Sequence, residues 1–390
     1  MTASYVYDAV RTPFGRFGKA YAGTRPDDLA AHTIGELLRH NPELDPERVD
    51  DVILGAANQS GEDNRDVARM ASLLAGLPTS VAGVTVNRLC GSSVEAVIQA
   101  SRAIETQDAS IIVAGGVESM TRAPWVVAKP DRGFPAGNTT MQSTTLGWRF
   151  TNPRMSKQWT ISNGESAEIL AERYEISREQ QDAFAVLSHR RAAAAWDAGI
   201  YDEETTQMPG IGLTRDEGIR PDASLETLAT LAPAFRPDGT VTAGNASPLT
   251  DGSSMVLVGA EGALGETEPL ARIAGRAASG VDPDVFGIGP VEAANRALAR
   301  AGRTWADVDF VELNEAFASQ SLACLKLWPE LDPEIVNVHG GAIALGHPLG
   351  ASGGRIIGHV AHELRRRGGG VGVAAICIGV GQGLAVVLER

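Results

Sequence analysis

Apolar residues in this chain form short unbroken runs, and segments with helical spacing lie between them. The runs VDDVILGAA (49–57) and ASIIVAGGV (109–117) read as buried strands bounded by polar or glycine residues. Between them, 92–104 places Val94, Val97, Ile98, Ser101 and Ile104 at helical spacing. Strand, helix and strand in this order predict parallel α/β structure. The last third repeats the order, with a strand over VDFVELN (308–314), a helix over ASGGRIIGHVAHELRRR (351–367) and a strand over VGVAAICIGV (371–380). VDDVILG and VDFVELN lie roughly 260 residues apart, a spacing that predicts a duplicated domain rather than a solenoid.

The middle of the chain breaks this pattern. It opens on an irregular stretch rich in Gly, Pro and Thr and continues into two expected helices. Ser177 with Gln180 predicts a capping box for the helix through QDAFAVLSHRRAAAAWDAG. So long an irregular stretch inside a compact protein is expected to be a lid or an interface element. The expected division is a first half over 1–120, a loop domain over 121–250 that returns to the first half near its end, and a second half over 251–390.

Composition narrows the partners. A chain of 390 residues is too long for one simple core, which agrees with two packed halves. The net charge of −14 argues against nucleic acid or an anionic membrane as a partner. Residues 122–157 run against that balance: Arg122, Lys129, Arg132, Arg149, Arg154 and Lys157 face one acid, Asp131. Such a loop suits an anionic ligand, and it equally suits a solvated or subunit-facing surface. No apolar run has membrane-spanning length, and the N-terminal residues lack a signal-peptide pattern. The terminal LER carries no peroxisomal or retention tag. Three cysteines, an odd and sparse count, fit a reducing cytoplasm. No CxxC or HExxH pattern offers metal ligands.

The candidate chemistry lies in three glycine-rich settings: VNRLCGSS around Cys90, HGGAIALGHPLGASGG around His347, and CIGVGQG from Cys377. Cys90 precedes an expected helix, whose N-terminal amides favour a thiolate. The competing reading is a buried structural cysteine. His347 can take the proton of such a thiol, or it can be a capping or core histidine. Cys377 closes an expected strand and reads as a general acid/base or as a core thiol. The amides of the following glycine turn can bind a developing oxyanion. Asn314 and Glu315 follow a strand, where α/β folds place ligand groups; Asn314 also suits a helix N-cap. His339 is a weaker candidate standing behind the site, and Cys324, in a helical apolar stretch, reads as structural. Together the settings imply covalent acyl chemistry on a thioester. Dinucleotide and P-loop readings fail: GIGPVEA lacks the third small residue, and GVGQG leads into a strand.

The motifs DAVRTPFGRFGKA, VNRLCGSS, GGVESMTRAP, TVTAGNASPLTDG, NEAFA, GGAIALGHPLGASGGRI and CIGVGQGLAVVLER together resemble the thiolase family over nearly the whole chain. The resemblance implies an α/β, duplicated, five-layer αβαβα fold with an inserted loop domain, each half built on a five-stranded mixed sheet. It implies thiolytic cleavage of 3-oxoacyl-CoA, or the reverse Claisen condensation, through an acyl-enzyme. By resemblance Cys90 is the nucleophile, His347 activates it, Cys377 is the acid/base at the α-carbon, and Asn314 holds an oxyanion-hole water. The amides of Cys90 and Gly379 form the second oxyanion hole. Ser247 and Phe317 match pantetheine-contacting positions, and Arg220 matches one near the nucleotide end of coenzyme A. Coenzyme A is then a substrate, with no permanently bound cofactor, and the assembly a homodimer or homotetramer. A ketoacyl synthase would carry histidine at Asn314 and lack Cys377; a non-catalytic acyl-CoA or lipid carrier would have lost catalytic groups. Two departures stand out. Ser93 replaces a common glycine, which narrows the space behind the nucleophile. The segment ISNGESAEI lacks the His-Met-Gly of biosynthetic short-chain members. TTLGWRFTNPRM and DAFAVLSHRRAAAAW resemble degradative members, including those cleaving 3-oxoadipyl-CoA.

Overall fold

The computed structural model describes residues 2–390. The chain begins with β1 (Ser4–Arg11), β2 (Gly15–Arg16), α1 (Pro26–His40), β3 (Asp51–Gly55), α2 (Val67–Leu74), β4 (Ala82–Val86), α3 (Ser92–Glu105) and β5 (Ile111–Ser119). The middle holds a small hairpin of β6 (Trp125–Val126) and β7 (Gln142–Ser143), then α4 (Asn163–Arg173), α5 (Arg178–Asp197) and α6 (Leu225–Ala229). After β8 (Thr250–Ala260) come β9 (Ala271–Gly280), α7 (Gly289–Ala301), β10 (Phe310–Leu313), α8 (Ala318–Leu327), α9 (Ala342–Leu345), α10 (Ser352–Arg367), β11 (Val371–Ile378) and β12 (Gln382–Glu389). The middle thus has a third helix; α6 is too short to show a helical period. The capping box expected at Ser177 and Gln180 is present and starts α5.

Pairing shows the duplication directly. β5 runs parallel to β3 and antiparallel to β8, and β8 is antiparallel to β1. β11 runs parallel to β10 and antiparallel to β12, and β12 is antiparallel to β9. The same four-strand plan is therefore built twice, and β8 belongs with the strands of the first half. The two copies join where β1 and β9 pair over two residues, Tyr5–Arg272 and Val6–Ala271. The first half has a fifth strand, β4, parallel to β3. The second half departs from the expected five strands, because only a one-residue parallel bridge, Val311–Val336, stands in the corresponding place. A short turn over Pro333–Ile335 precedes Val336, and Asn337 follows at φ +49°, so the extended backbone cannot lengthen.

Five layers result. α1 and α2 cover the outer face of the first half, and α7 and α8 cover that of the second. Between the two sheets lie α3, which meets β3, β5, β8 and β12, and α10, which meets β1, β8, β10 and β11. One continuous apolar core surrounds this middle pair. All eight residues of β11 are buried, as a strand covered on both faces must be. α10 is buried without interruption from Ser352 to Leu364. Its glycines make that possible: a Cβ on Gly353 would sit 2.4 Å from the Val94 amide nitrogen. The loop before α10 passes just as closely over the strands, and a Cβ on Gly116 would lie 2.0 Å from the Gly350 carbonyl oxygen.

These contacts predict opposite effects for two alanine substitutions. Gly116→Ala is expected to destabilise by more than about 2 kcal/mol, because backbone on either side must move. Gly35, inside α1, has open space where a Cβ would be, so Gly35→Ala is expected to stabilise by about 0.5–1 kcal/mol. Urea unfolding midpoints check both; equal effects would contradict this packing account.

Candidate active site

Cys90 sits in a tight turn, Leu89–Gly91, that leads directly into α3. A Cβ on Gly91 would lie 2.5 Å from Ile378 Cδ1, so the turn presses against the end of β11. That contact brings the first half's cysteine to the strand carrying Cys377. The Gly379 and Cys90 amides act to lower the Cys90 thiol, against the effect of burial. Both thiols are buried. Burial pushes the Cys90 thiol up to about 11, with the Glu118 charge adding to it. Burial also pushes Cys377 well above its ordinary value, with the neighbouring Cys90 the next cause. The expected thiolate stabilisation at the helix terminus is therefore outweighed by desolvation in the resting site.

The second half supplies the imidazole. His347 lies in the loop between α9 and α10, held by a bond from its amide to Thr250 Oγ1 at 3.2 Å. Its Nδ1 is 2.6 Å from Ser352 Oγ. Ser352 Oγ also lies 3.1 Å from the Pro348 carbonyl, an arrangement compatible with Nδ1–H donating to Ser352 and Nε2 keeping its lone pair. Burial, then the Arg355 charge, pushes His347 down to about 3, which keeps the ring neutral. Asn314 follows β10, and its Nδ2 stands 3.4 Å from His347 Nε2. Its Oδ1 is buried without a hydrogen-bond partner. Asn314 is not a helix N-cap: that position of α8 is Phe317. Among the described residues no hydrogen bond joins Cys90 to His347. They are brought together through backbone instead, since Ser93 Oγ accepts from the Gly354 amide at 2.9 Å. Ser93 thus uses the space a glycine would leave open to tie the start of α3 to the start of α10.

Glu118, at the end of β5, accepts from the amides of Ala57, Asn58 and Gly350. It clamps the His347 loop onto the first half, and burial pushes its carboxyl up to about 7. Glu315 plays a similar part for the loop domain, accepting from Ser188 on α5, Asn337 and the Ile343 amide. Its own sequence setting, NEAFA, pointed to a ligand group, but its oxygens are consumed by these structural bonds. Cys324 bonds to the Gly287 carbonyl at 3.3 Å and is structural. His339 does not support His347: its Nδ1 meets His359 Nε2 at 3.0 Å.

The residues expected to contact coenzyme A fall into two groups. Ser247 bonds to the Ala316 carbonyl, and the neighbouring Ala246 bridges to Phe317. Phe317 packs with Phe286, Ala316 and Cys377 and meets Phe235 edge-on at 6.2 Å. Arg220 is exposed and farther round, where its amide donates to His189. In the basic loop, Arg122 is consumed by an ion pair with Glu62, while Lys129, Arg132, Arg154 and Lys157 are exposed. Half-buried Arg149 has no ion pair among the described residues, and Trp148 beside it reaches the site. Its ring lies 3.3 Å from where a Gly379 Cβ would be, with Asn163 Oδ1 at 3.6 Å. Ser352, Glu118, Trp148 and Asn163 were not singled out from sequence. Ser352 alone left a trace, being a hydroxyl in the same short loop-to-helix segment as His347.

Comparison with known proteins agrees with this geometry. Residues 4–262 match the thiolase N-terminal domain, and 267–390 match the thiolase C-terminal domain. The chain belongs to the thiolase family. It is an acyltransferase, and the comparisons do not favour a carrier or a ketoacyl synthase. A 3-oxoadipyl-CoA/3-oxo-5,6-dehydrosuberyl-CoA thiolase of Escherichia coli strain K12 is 50% identical to this thiolase, with 100% of both chains covered. A beta-ketoadipyl-CoA thiolase of Pseudomonas putida is 48% identical, covering 99% of each. The crystal structure of human mitochondrial 3-ketoacyl-CoA thiolase in complex with CoA is 40% identical, with a TM-score of 0.93, covering 100% of this chain and 98% of that one. No helix of this thiolase is long and apolar enough to cross a membrane.

With the thiol pushed up and the imidazole pushed down, the free enzyme rests as a neutral pair. Thiolate therefore forms only as pH rises toward the thiol's own range. Alkylation of Cys90 by iodoacetamide is expected to climb steadily across pH 6–9. A plateau near neutrality, the sign of a preformed thiolate–imidazolium pair, would contradict this reading.

Proposed function

We propose that this thiolase cleaves 3-oxoacyl-CoA thioesters whose acyl chain ends in a carboxylate, with 3-oxoadipyl-CoA as the reference substrate. The observation that carries the proposal is the meeting of Cys90, the Gly379 amide and Cys377 where α3 and β11 converge, with His347 and Asn314 beside them. His347 Nε2 takes the Cys90 proton, and the sulfur attacks the 3-keto carbon. The amides of Cys90 and Gly379 receive the resulting oxyanion. The bond between C2 and C3 breaks, and the electron pair passes into the acetyl-CoA enolate. Cys377 protonates its α-carbon. The enolate oxygen is held by His347 and by a water on the otherwise unpartnered Asn314 Oδ1. The Cys377 thiolate then takes the thiol proton of coenzyme A, whose sulfur attacks the Cys90 thioester and expels the Cys90 thiolate, which recovers its proton from His347. Coenzyme A is a substrate throughout, placed by Ser247 and Phe317 at the pantetheine and by Arg220 toward the nucleotide. Run backwards, the same groups perform the Claisen condensation.

The carboxylate preference rests on the relatives' substrates and on the loop beside the acyl group. Asn163 and Trp148 border the Gly379 turn, and Arg149 is the half-buried cation next to them. We read the division into two halves around a loop domain as serving this site, with the second half beginning after β8 rather than at 251, since β8 pairs with β1 and β5 of the first half. We also read the enzyme as cytoplasmic, in line with three free cysteines, and as at least a homodimer. Edge strand β4 exposes Val84, and neighbouring α2 exposes Met70, Leu73 and Leu74. A second copy would cover that apolar edge; a monomer by light scattering would refute it.

Cys90→Ala is expected to trap no labelled acyl group. Cys377→Ser is expected to slow α-proton exchange of acetyl-CoA by about 10²-fold or more while Cys90 still acylates. Equal losses in both assays would remove the acid/base assignment. On substrates, kcat/KM for 3-oxoadipyl-CoA should exceed that for 3-oxohexanoyl-CoA. Arg149→Gln should cut that preference by about tenfold or more, the value of one charge-assisted hydrogen bond. A preference untouched by the substitution would move carboxylate recognition elsewhere.

A further inference from the structure

Behind His347 and Asn314 lies a buried ion pair that takes no direct part in the reaction, although its Arg355 charge bears on His347. Arg355 Nη1 meets Glu312 Oε2 at 2.8 Å, and both side chains are essentially inaccessible. Arg355 Nε and Nη2 and Glu312 Oε1 have no hydrogen-bond partner. Removing two charges from water is expensive, and a single bond with three idle polar atoms repays it poorly. Stability alone does not account for the pair.

Its location does. Glu312 is two residues before Asn314, so the two side chains leave the β10 line on the same face. Arg355 is three residues after Ser352, so both lie on one face of α10. Successive contacts between β10 and α10 therefore run in step. Asn314 stands against His347, whose Nδ1 is held by Ser352; Glu312 stands against Arg355; Phe310 stands 5.9 Å from the His359 ring. The middle contact is a rigid charged strut immediately behind the reacting one.

We propose that Glu312 and Arg355 are positioning residues, whose ion pair sets the spacing of β10 and α10 and thereby holds Asn314 and His347 in working register. The proposal rests on the roles assigned above to those two groups, and the test separates the layers. Single-turnover acylation of Cys90 by 3-oxoadipyl-CoA, steady-state kcat and KM, and thermal unfolding are measured for Glu312→Gln, Arg355→Met and Arg355→Lys. His347→Ala is the reference. Glu312→Gln and Arg355→Met should lose about 10²-fold in acylation and kcat, as a misplacement near 1 Å does, with KM little changed. Arg355→Lys, which keeps the charge, should recover part of the loss. If a single variant does not fold, the double variant Glu312→Leu/Arg355→Met, which removes both charges, takes its place and should fold with the same loss of kcat. Full acylation in a folded variant, KM rising in place of kcat, or Lys acting no better than Met would each overturn the positioning role. Full acylation in His347→Ala would instead overturn the underlying assignment of the base.

Discussion

The close approach of two helix N-termini is the constraint on which this molecule is built. α3 and α10 start side by side between the sheets, joined by the bond from the Gly354 amide to Ser93 Oγ. A Cβ on Gly353 would collide with the Val94 amide nitrogen, so the approach exists only because that position lacks a side chain. Each duplicated half has one such helix, and the candidate groups gather around the two helix starts. The first half brings Cys90. The second brings His347, Asn314 and Cys377. Neither half carries all four candidates, so the packing of the halves is itself the assembly of the proposed site.

Burial follows from that placement and governs reactivity. Raising the Cys90 thiol from its ordinary 9.0 to about 11 corresponds to about 3 kcal/mol against the thiolate. A helix N-terminus returns only about 0.3–1 kcal/mol in most settings. Desolvation therefore wins in the resting enzyme, and the proton must leave by a base that is neutral when substrate arrives. The same burial keeps His347 neutral. One physical cause thus suppresses premature thiolate and preserves the acceptor for its proton.

The strand–helix–strand pattern was legible because β3, β5, β10 and β11 are continuous apolar runs. α3 showed itself through Val94, Val97 and Ile98. The missing fifth strand of the second half was not legible, because Val336 loses its extended neighbours to backbone turns rather than to polarity. Cys90, His347 and Cys377 stood out through their glycine-rich surroundings, since glycine marks close approach of backbone. Their supports did not. Glu118 and Glu312 look like ordinary strand residues, and only the fold shows that each carboxylate is buried and committed. Trp148 and Asn163 lie in irregular chain, where spacing carries no information about what they meet. Ser93 was read as a substituent in the way, whereas it is a connection.

The backbone beside the two sulfur loops is strained, and the strain has a discernible purpose. Leu89, immediately before Cys90, has φ +47°, and Val380, immediately after Gly379, has φ +61°. A non-glycine residue in this region costs about 1–2 kcal/mol. For Leu89 the cost is offset by its side chain, which packs against the central core and contributes up to about 1.5–3 kcal/mol if fully covered. The left-handed residue reverses the chain sharply enough to enter α3 with Cys90 facing β11. At the other loop, Val380 and Gly381 at φ +76° turn β11 back into β12 within the shortest span. That reversal leaves Gly379 outside the ladder, which ends at Ile378 and Gln382, with its amide acting on the Cys90 thiol. A relaxed loop would carry the Gly379 backbone elsewhere, so the strain is the local cost of keeping it beside Cys90.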